Sequence, residues 1–95
     1  MTDLPAIHHD PTGQRFRLRL DGQEAALTYA LRAGRMVIEH TVVPEAIGGR
    51  GLAGRLVQAA FDQARAEGWQ VVPECSYARV WAGRHPQYAD LLAAD

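Results

Sequence analysis

The spacing of apolar residues changes once along this chain, and that change restricts the fold more than any other feature. Up to residue 43, apolar residues alternate with polar ones, which is typical of β-strands buried on one face. From Leu52 to Ala64 they recur every three or four residues, as on an amphipathic helix. The sequence therefore predicts a mixed α/β domain in which strands precede the first helix.

Three strands are predicted in the first half, over residues 14–20, 24–32 and 35–43. In the first of them Phe16, Leu18 and Leu20 share one face, and arginines occupy the other. The pairs Asp21-Gly22 and Ala33-Gly34 are typical of tight turns between adjacent strands. Strands joined by such short turns pair in antiparallel fashion. We expect an antiparallel β-meander.

The second half is predicted to form a helix, a strand and a second helix. The first helix starts at Leu52 and ends at Gly68, a residue that commonly stops helices. The apolar run 69–73 is interpreted as a buried strand, a short helix follows over about 76–82, and one or two last helical turns are expected within 88–94. The fold class is therefore α/β: an antiparallel β-meander followed by α-β-α, in a mixed sheet if strands three and four pair in parallel.

The length of 95 residues allows one domain, which we place at residues 14–95. Residues 1–13 include Pro5, Pro11 and Gly13 without any periodicity, and we expect them to form a flexible tail. A net charge of -1 argues against a dedicated nucleic-acid-binding protein, which would be basic. The sequence has one cysteine, no signal peptide pattern and no apolar run long enough to span a membrane, so a cytoplasmic protein is expected.

The glycine-rich segment 48–54 leads directly into the predicted helix. Glycines let a ligand approach the backbone, and the free N–H groups at a helix start attract anions such as pyrophosphate. The alternative is a flexible loop, although Gly54 inside the first turn costs about 1 kcal/mol relative to alanine. Gly49-x-Gly51-x-x-Gly54 also matches the dinucleotide-binding pattern formally. We reject that interpretation because other residues separate it from the strand and the upstream strands form hairpins.

Four runs in order identify a family resemblance: His40-Thr41-Val42-Val43-Pro44, the Gly-Arg-Gly-Leu-Ala of residues 49–53, Val72-Pro73-Glu74-Cys75-Ser76-Tyr77, and Arg84-His85-Pro86-Gln87-Tyr88. Together they resemble the small single-domain members of the GNAT superfamily of N-acetyltransferases over about residues 14–92. One position departs from the pyrophosphate motif of that family, because Gly48 stands where glutamine or arginine is usual. Full-length relatives carry two N-terminal helices that help to form the acceptor site, and we expect no counterpart of them in this sequence.

The resemblance implies a reduced GNAT-like fold that binds acetyl-CoA across the separated ends of the third and fourth strands. It places the pantetheine along Val42 and Val43. The pyrophosphate is expected on the segment 50–55, and the cofactor-binding residues there are Arg50, Gly51, Leu52, Ala53, Gly54 and Arg55. Two further arginines, Arg79 and Arg84, are candidates for the adenosine end.

His40 and Cys75 are the candidate catalytic residues. Alternation places His40 with Met36, Ile38 and Val42, where a histidine is either a core residue or, as the family resemblance favours, a general base. Glu39, on the other face, is the second candidate base. Cys75 is either a small buried residue or, as in the matching family position, a thiol facing the thioester, and acetyl transfer is then direct or through an acetyl-cysteine.

Tyr77 and Tyr88 are candidates for protonating the CoA thiolate, and aromatic packing is the other interpretation of each. The four histidines show no metal-ligand spacing, so no metal is expected. The function predicted is acetyl transfer to an unidentified amine, of a small molecule or a protein, with acetyl-CoA as co-substrate. The alternatives are a CoA-binding module without catalysis and an interaction protein that uses the arginines of the first strand.

Overall fold

The computed structural model describes residues 5–93 and contains one five-stranded sheet with two helices. The strands are β1 (His8–Asp10), β2 (Arg15–Leu20), β3 (Gln23–Arg32), β4 (Arg35–Val42) and β5 (Gln70–Pro73), in that order across the sheet. The helices are α1 (Leu52–Glu67) and α2 (Ser76–Arg84), and short 3-10 helices span Glu45–Ile47 and Pro86–Leu91. Within residues 5–93, no helix is both long and apolar enough to cross a membrane.

The predicted fold class is confirmed. Strands β2, β3 and β4 form an antiparallel meander, and β4 pairs with β5 in parallel. Asp21 and Gly22 join β2 to β3 with φ of 52° and 75°, the left-handed pair that a two-residue hairpin turn requires. Helix α1 ends where predicted, because Gly68 is its left-handed C-cap with φ of 75°. The last helical segment is a 3-10 helix that starts at Pro86, earlier than expected.

Strand β1 corrects the expectation of a flexible tail over residues 1–13. His8–Asp10 pairs antiparallel with β2, and the His9 ring stacks on Phe16 with centroids 4.2 Å apart. This contact and the 2.6 Å separation between His9 Nε2 and the Tyr29 hydroxyl hold the strand to the sheet. Residues 1–4 of the expected tail, and the last two residues of the expected domain, lie outside the described residues.

Both helices pack on the same face of the sheet. Phe61 of α1 is fully buried and lies 5.2 Å from the Trp81 ring of α2, measured between centroids. The core cluster joins these rings to the inward side chains of β2, β3 and β4, such as Leu18, Leu27 and Ile38. The molecule therefore has two layers, and the other face of the sheet is not covered by either helix.

A β-bulge in β4 reverses which side chains point to the helices. Tyr29 pairs with Ile38, but the preceding residue Thr28 pairs with His40, so Glu39 is the extra residue. Partners across an antiparallel pair share a face. Met36 and Ile38 therefore face the helices, whereas His40 faces the uncovered side with Thr28. The prediction that His40 shares a face with Met36 and Ile38 is wrong, because it assumed uninterrupted alternation.

Candidate functional site

A gap opens between β4 and β5 at Ile38. The last parallel pair is Ile38 with Pro73, and the backbone N–H groups of Glu74 and Cys75 both donate to the Ile38 carbonyl, at 3.1 and 3.0 Å. Beyond this point β4 continues along β3 to Val42, while the chain after β5 turns into α2. The backbone of β4 after Ile38 therefore has an edge that β5 does not pair, with groups available to a ligand.

Cys75 lies at this gap, immediately before α2. Its Sγ is 3.7 Å from Thr41 Oγ1, within hydrogen-bond distance, and the Thr41 hydroxyl can donate to the thiolate form. The side chain is partly buried against the core cluster. Burial raises the pKa of the Cys75 thiol, but the backbone N–H groups of Ala78 and Tyr77, together with Thr41, lower it further, and the net pKa is below the ordinary value. The start of α2 thus favours a thiolate, the nucleophilic form.

His40 and Cys75 point to opposite faces of the sheet at the same gap. His40 is exposed on the uncovered face, whereas Thr41 pairs with Leu27 and faces the helices, where Cys75 contacts it. The structure therefore places both predicted catalytic residues at one opening, but on opposite faces of the sheet. Glu39 is partly buried at the bulge between the two.

The glycine turn forms the start of α1. Gly51 is the N-cap with φ of 74°, a left-handed conformation that side chains rarely adopt, and no side chain caps the helix. The first bond within the helix runs from the Arg55 N–H to the Gly51 carbonyl at 3.2 Å. The N–H groups of Leu52, Ala53 and Gly54 have no acceptor within the helix, and the positive end of its dipole lies here.

Gly54 has a packing role that the phosphate hypothesis did not identify. A Cβ at this position would lie 3.3 Å from the Tyr77 hydroxyl and 3.6 Å from Trp81 Nε1. The absence of a side chain thus lets α2 approach α1 closely. Gly54 also lines a shallow groove with Tyr77, Val80, Trp81, Arg84 and His85, next to the glycine turn.

The four candidate arginines have different surroundings. Arg50 forms an exposed ion pair with Asp21, with Nη1 and Oδ2 3.1 Å apart. Arg55 has a buried Nη1 without a hydrogen-bond partner among the described residues. Arg84 borders the groove beside Gly54, whereas Arg79 borders a separate depression formed by β5 and the C-terminal residues. Arg55 and Arg84 are therefore the ones positioned near the glycine turn, and Arg79 is not.

The remaining predicted positions differ in how far their side chains are exposed. Val42 is 62% exposed, Val43 is partly buried, and Ala53 is half-buried. Leu52 is only 2% exposed and belongs to the core, so its side chain is not available to a ligand.

The two candidate tyrosines differ in exposure and in hydrogen bonding. Tyr77 is partly exposed beside Gly54. Tyr88 is buried, and its hydroxyl donates to Asp62 at 2.6 Å, a hydrogen bond that raises the pKa of Tyr88. Asp62 lies far along α1 from the glycine turn, so the structure supports aromatic packing for Tyr88.

Two site residues were missed from the sequence. Thr41 contacts the thiol, and Trp81 forms the wall of the groove beside Gly54, stacked on His85 with centroids 3.8 Å apart. Uninterrupted alternation assigned Thr41 to the face opposite His40, but only the bulge shows that this is the face of Cys75. The sequence feature that could have identified Trp81 as a site residue is the presence of a tryptophan within the short second helix.

Comparisons with known proteins found a family match, related sequences and a similar fold. Residues 15–91 match the profile of a family described as GCN5-related N-acetyl-transferase. Relatives called Protein NATD1 from Mus musculus and Homo sapiens are each 34% identical over 91 residues, which is 90% of this chain and 83% or 80% of the relative. The NMR solution structure of a GCN5-like protein from Staphylococcus aureus is similar with a TM-score of 0.74, at 24% identity, and covers 95% of this chain and 89% of that chain.

Proposed function

Because this chain belongs to the GCN5-related N-acetyltransferase family, we propose that it binds acetyl-CoA and transfers the acetyl group to an amine. The observation that carries the proposal is the adjacency of two features. The unpaired edge of β4 leads through residues 43–50 into the uncapped, glycine-rich start of α1. The unpaired edge of β4 suits an extended chain that contains amides, and the start of α1 suits a pyrophosphate.

The residues of the site fit CoA. N–H groups of residues 52–54 would donate to pyrophosphate oxygens, and the buried Arg55 Nη1 supplies a positive group that lacks a partner among the described residues. Arg50 would contact phosphate only by sharing or leaving its ion pair with Asp21. The unpaired backbone of β4 up to Val43 would bind the pantetheine amides, which directs the thioester toward the gap at Cys75.

Acetyl-CoA supplies an acetyl group activated as a thioester. A neutral amine attacks the thioester carbonyl, the new C–N bond forms, and the C–S bond breaks to release CoA as a thiolate. His40 lies on the open side of the gap, where it would accept the proton that the amine loses. Tyr77 and Cys75 lie on the helical side. In the direct route, the Tyr77 hydroxyl is the group we assign to protonate the CoA thiolate.

The lowered pKa of Cys75 supports a second route to the same product. Its thiolate would attack the thioester, CoA would leave as a thiolate, and the amine would then take the acetyl group from the cysteine. Each route yields one acetylated amine and one CoA. A free thiol with this role is suited to a reducing compartment, and we place the protein in the cytoplasm.

The uncovered sheet face favours a second candidate function, a CoA-binding module without catalysis. In this molecule neither α1 nor α2 covers the side of the gap where His40 is exposed. An acceptor held by few contacts reacts slowly, because catalysis depends on positioning. Incubation with radiolabelled acetyl-CoA and a panel of amines separates the two functions, since only an enzyme transfers the label.

The test of cofactor binding is the titration of CoA into Gly51→Val by isothermal calorimetry. The branched side chain would stand where pyrophosphate approaches the backbone, so a loss of CoA affinity of at least about tenfold is expected. Gly34→Val is the matched control, because Gly34 has a similar φ of 77° and equally open surroundings in a hairpin turn. Wild-type CoA affinity in a folded Gly51→Val protein would contradict the site.

A further inference from the structure

The uncovered face of the sheet has an excess of positive charge. By the strand pairing, the charged strand residues on this face are Arg15, Arg17, Arg19, Arg32 and Arg35, against Asp10 and Glu24. The whole chain has a net charge of -1, so this excess is balanced by acidic residues elsewhere. We call this surface the open face.

Small side chains form the floor of the open face beside His40. Along β3 the outward residues are Ala26, Thr28 and Ala30, which separate the arginines of β2 from the outward residues of β4. Arg15, Thr28 and His40 lie in one row across the three strands, and Arg17, Ala26 and Val42 form the next row. We call this strip of small side chains, with the arginines of β2 on one side and the outward residues of β4 on the other, the trough.

The arginines at this trough differ in their partners. Arg15 is paired with Asp10, with Nε and Oδ2 3.5 Å apart. Arg17 and Arg19 form no ion pair with any residue in 5–93, although Glu24 stands opposite Arg19 on β3. Both border a concavity at the edge of the sheet, next to His8. Arg17 lies one row and Arg19 two rows from the row of His40, so two cationic groups are available on the same face as the candidate base.

We propose that the open face binds the acceptor, and that the acceptor is an extended peptide segment with acidic side chains near its reactive amine. Arg17 and Arg19 are two residues apart on one strand, about 7 Å along its axis. Alternate side chains of an extended peptide have the same spacing, so two carboxylates of a strand-like segment match the two guanidinium groups. The inference rests on the proposed acetyl transfer and names its substrate class.

Other occupants fit this face less well. A second copy of the chain would bring the same arginines together, and like charges repel. A nucleic acid would find no Phe, Tyr or Trp among the outward strand residues for base stacking, and the chain's negative net charge opposes a polyanion. An acidic peptide needs only the local charge that the trough provides.

The experiment compares lysine-containing peptides with blocked termini and glutamate or glutamine at alternate flanking positions. Fluorescence anisotropy measures peptide binding without acetyl-CoA, and steady-state kinetics measures KM and kcat. The wild type is expected to bind the glutamate peptide about three- to tenfold more tightly than the glutamine peptide, since each exposed charge pair is weak. A lower KM for the glutamate peptide than for the glutamine peptide, with little change in kcat, would match that preference. Added salt should reduce it.

The double variant Arg17→Gln/Arg19→Gln should lose the preference, and Arg17→Lys/Arg19→Lys should retain most of it. Unchanged acetyl-CoA affinity in calorimetry shows that both variants keep their fold. A preference that survives the glutamine variant, no preference at all, or tighter binding of a short oligonucleotide than of the glutamate peptide would overturn the proposal. Peptide binding that follows the variants, without acetylation of any amine, would instead support the surface and contradict the proposed enzyme activity.

Discussion

Hydrogen bonds at the start of α2 set the reactivity of Cys75. Because they keep the pKa of the thiol below its ordinary value, the rate of alkylation by iodoacetamide should reach half-maximum at a lower pH than for a cysteine in an unstructured peptide. Thr41→Val removes one of these hydrogen bonds and should raise that midpoint. If Cys75 faces the thioester, saturating acetyl-CoA should slow alkylation of the wild type. Equal rates with and without acetyl-CoA would show that the thiol is remote from the acetyl group.

His40 should limit turnover more than Glu39 does. Its side chain is exposed at the gap on the side where the proposed acceptor would arrive, and a positioned base contributes about 10²–10⁴-fold. His40→Ala is therefore expected to reduce kcat by that order while CoA affinity stays within a few-fold. Glu39→Gln should do much less. Small, similar effects of both substitutions in steady-state assays would indicate that solvent removes the amine's proton.

The directions of side chains were harder to predict than the strands that carry them. His40, Gly51 and Cys75 were selected as candidates from their types, their positions in the chain and the family resemblance, and their roles remain predictions. The face of His40 could not be predicted, because a bulge depends on how β3 and β4 fit each other and leaves no mark in the alternation of β4 alone. Arg50 and Arg55 also looked alike in sequence, but only Arg50 lies within reach of a carboxylate of the β2–β3 turn.

At the scale of elements, the long periodic segments were predictable and the short ones were not. Helix α1 and the meander carry many apolar residues at regular spacing, so their pattern is distinct. Strand β1 has three residues, and its sequence His-His-Asp has no apolar alternation. It is a strand because β2 offers an edge and His9 finds an aromatic surface on Phe16, a tertiary reason that local sequence does not contain.

The attachment of β1 should depend on pH. Burial lowers the pKa of His9 below 6.5, so the unfolded chain binds this proton more tightly than the folded one. The His9 contribution to the free energy of unfolding should be complete above pH 6.5. It should decrease as the pH falls below 6.5 and through the lowered pKa of the folded state. The Tm of His9→Gln, which keeps a polar group near the Tyr29 hydroxyl, should therefore fall less than that of the wild type between about pH 7.5 and pH 5. Parallel Tm curves would contradict this role. Asp10 acts in a separate, more acidic interval, because its pKa is lowered from 3.8.

At the scale of the whole molecule, the arrangement of layers was predictable only in part. Period and turn residues predicted the mixed sheet and the element order from β2 to α2, which the structure confirms, but not β1. They did not show that α1 and α2 share one face, because that depends on the contact between Phe61 and Trp81 across a close approach at Gly54. The distribution of charge was likewise predictable only in part. The arginine stripe of β2 was visible in sequence, and its position in one row with Thr28 and His40 was not.

The two-layer architecture separates two evolutionary tasks. Side chains under the helices hold the core together, and most changes there alter volume and stability. Side chains on the open face, such as Arg17 and Thr28, are only partly buried, so they can be exchanged at little cost in stability. A protein built this way can acquire a new acceptor by changing one surface while the other, including the glycine turn, stays as it is. Divergence among homologues that use different amines is therefore expected to concentrate on a single side of the sheet.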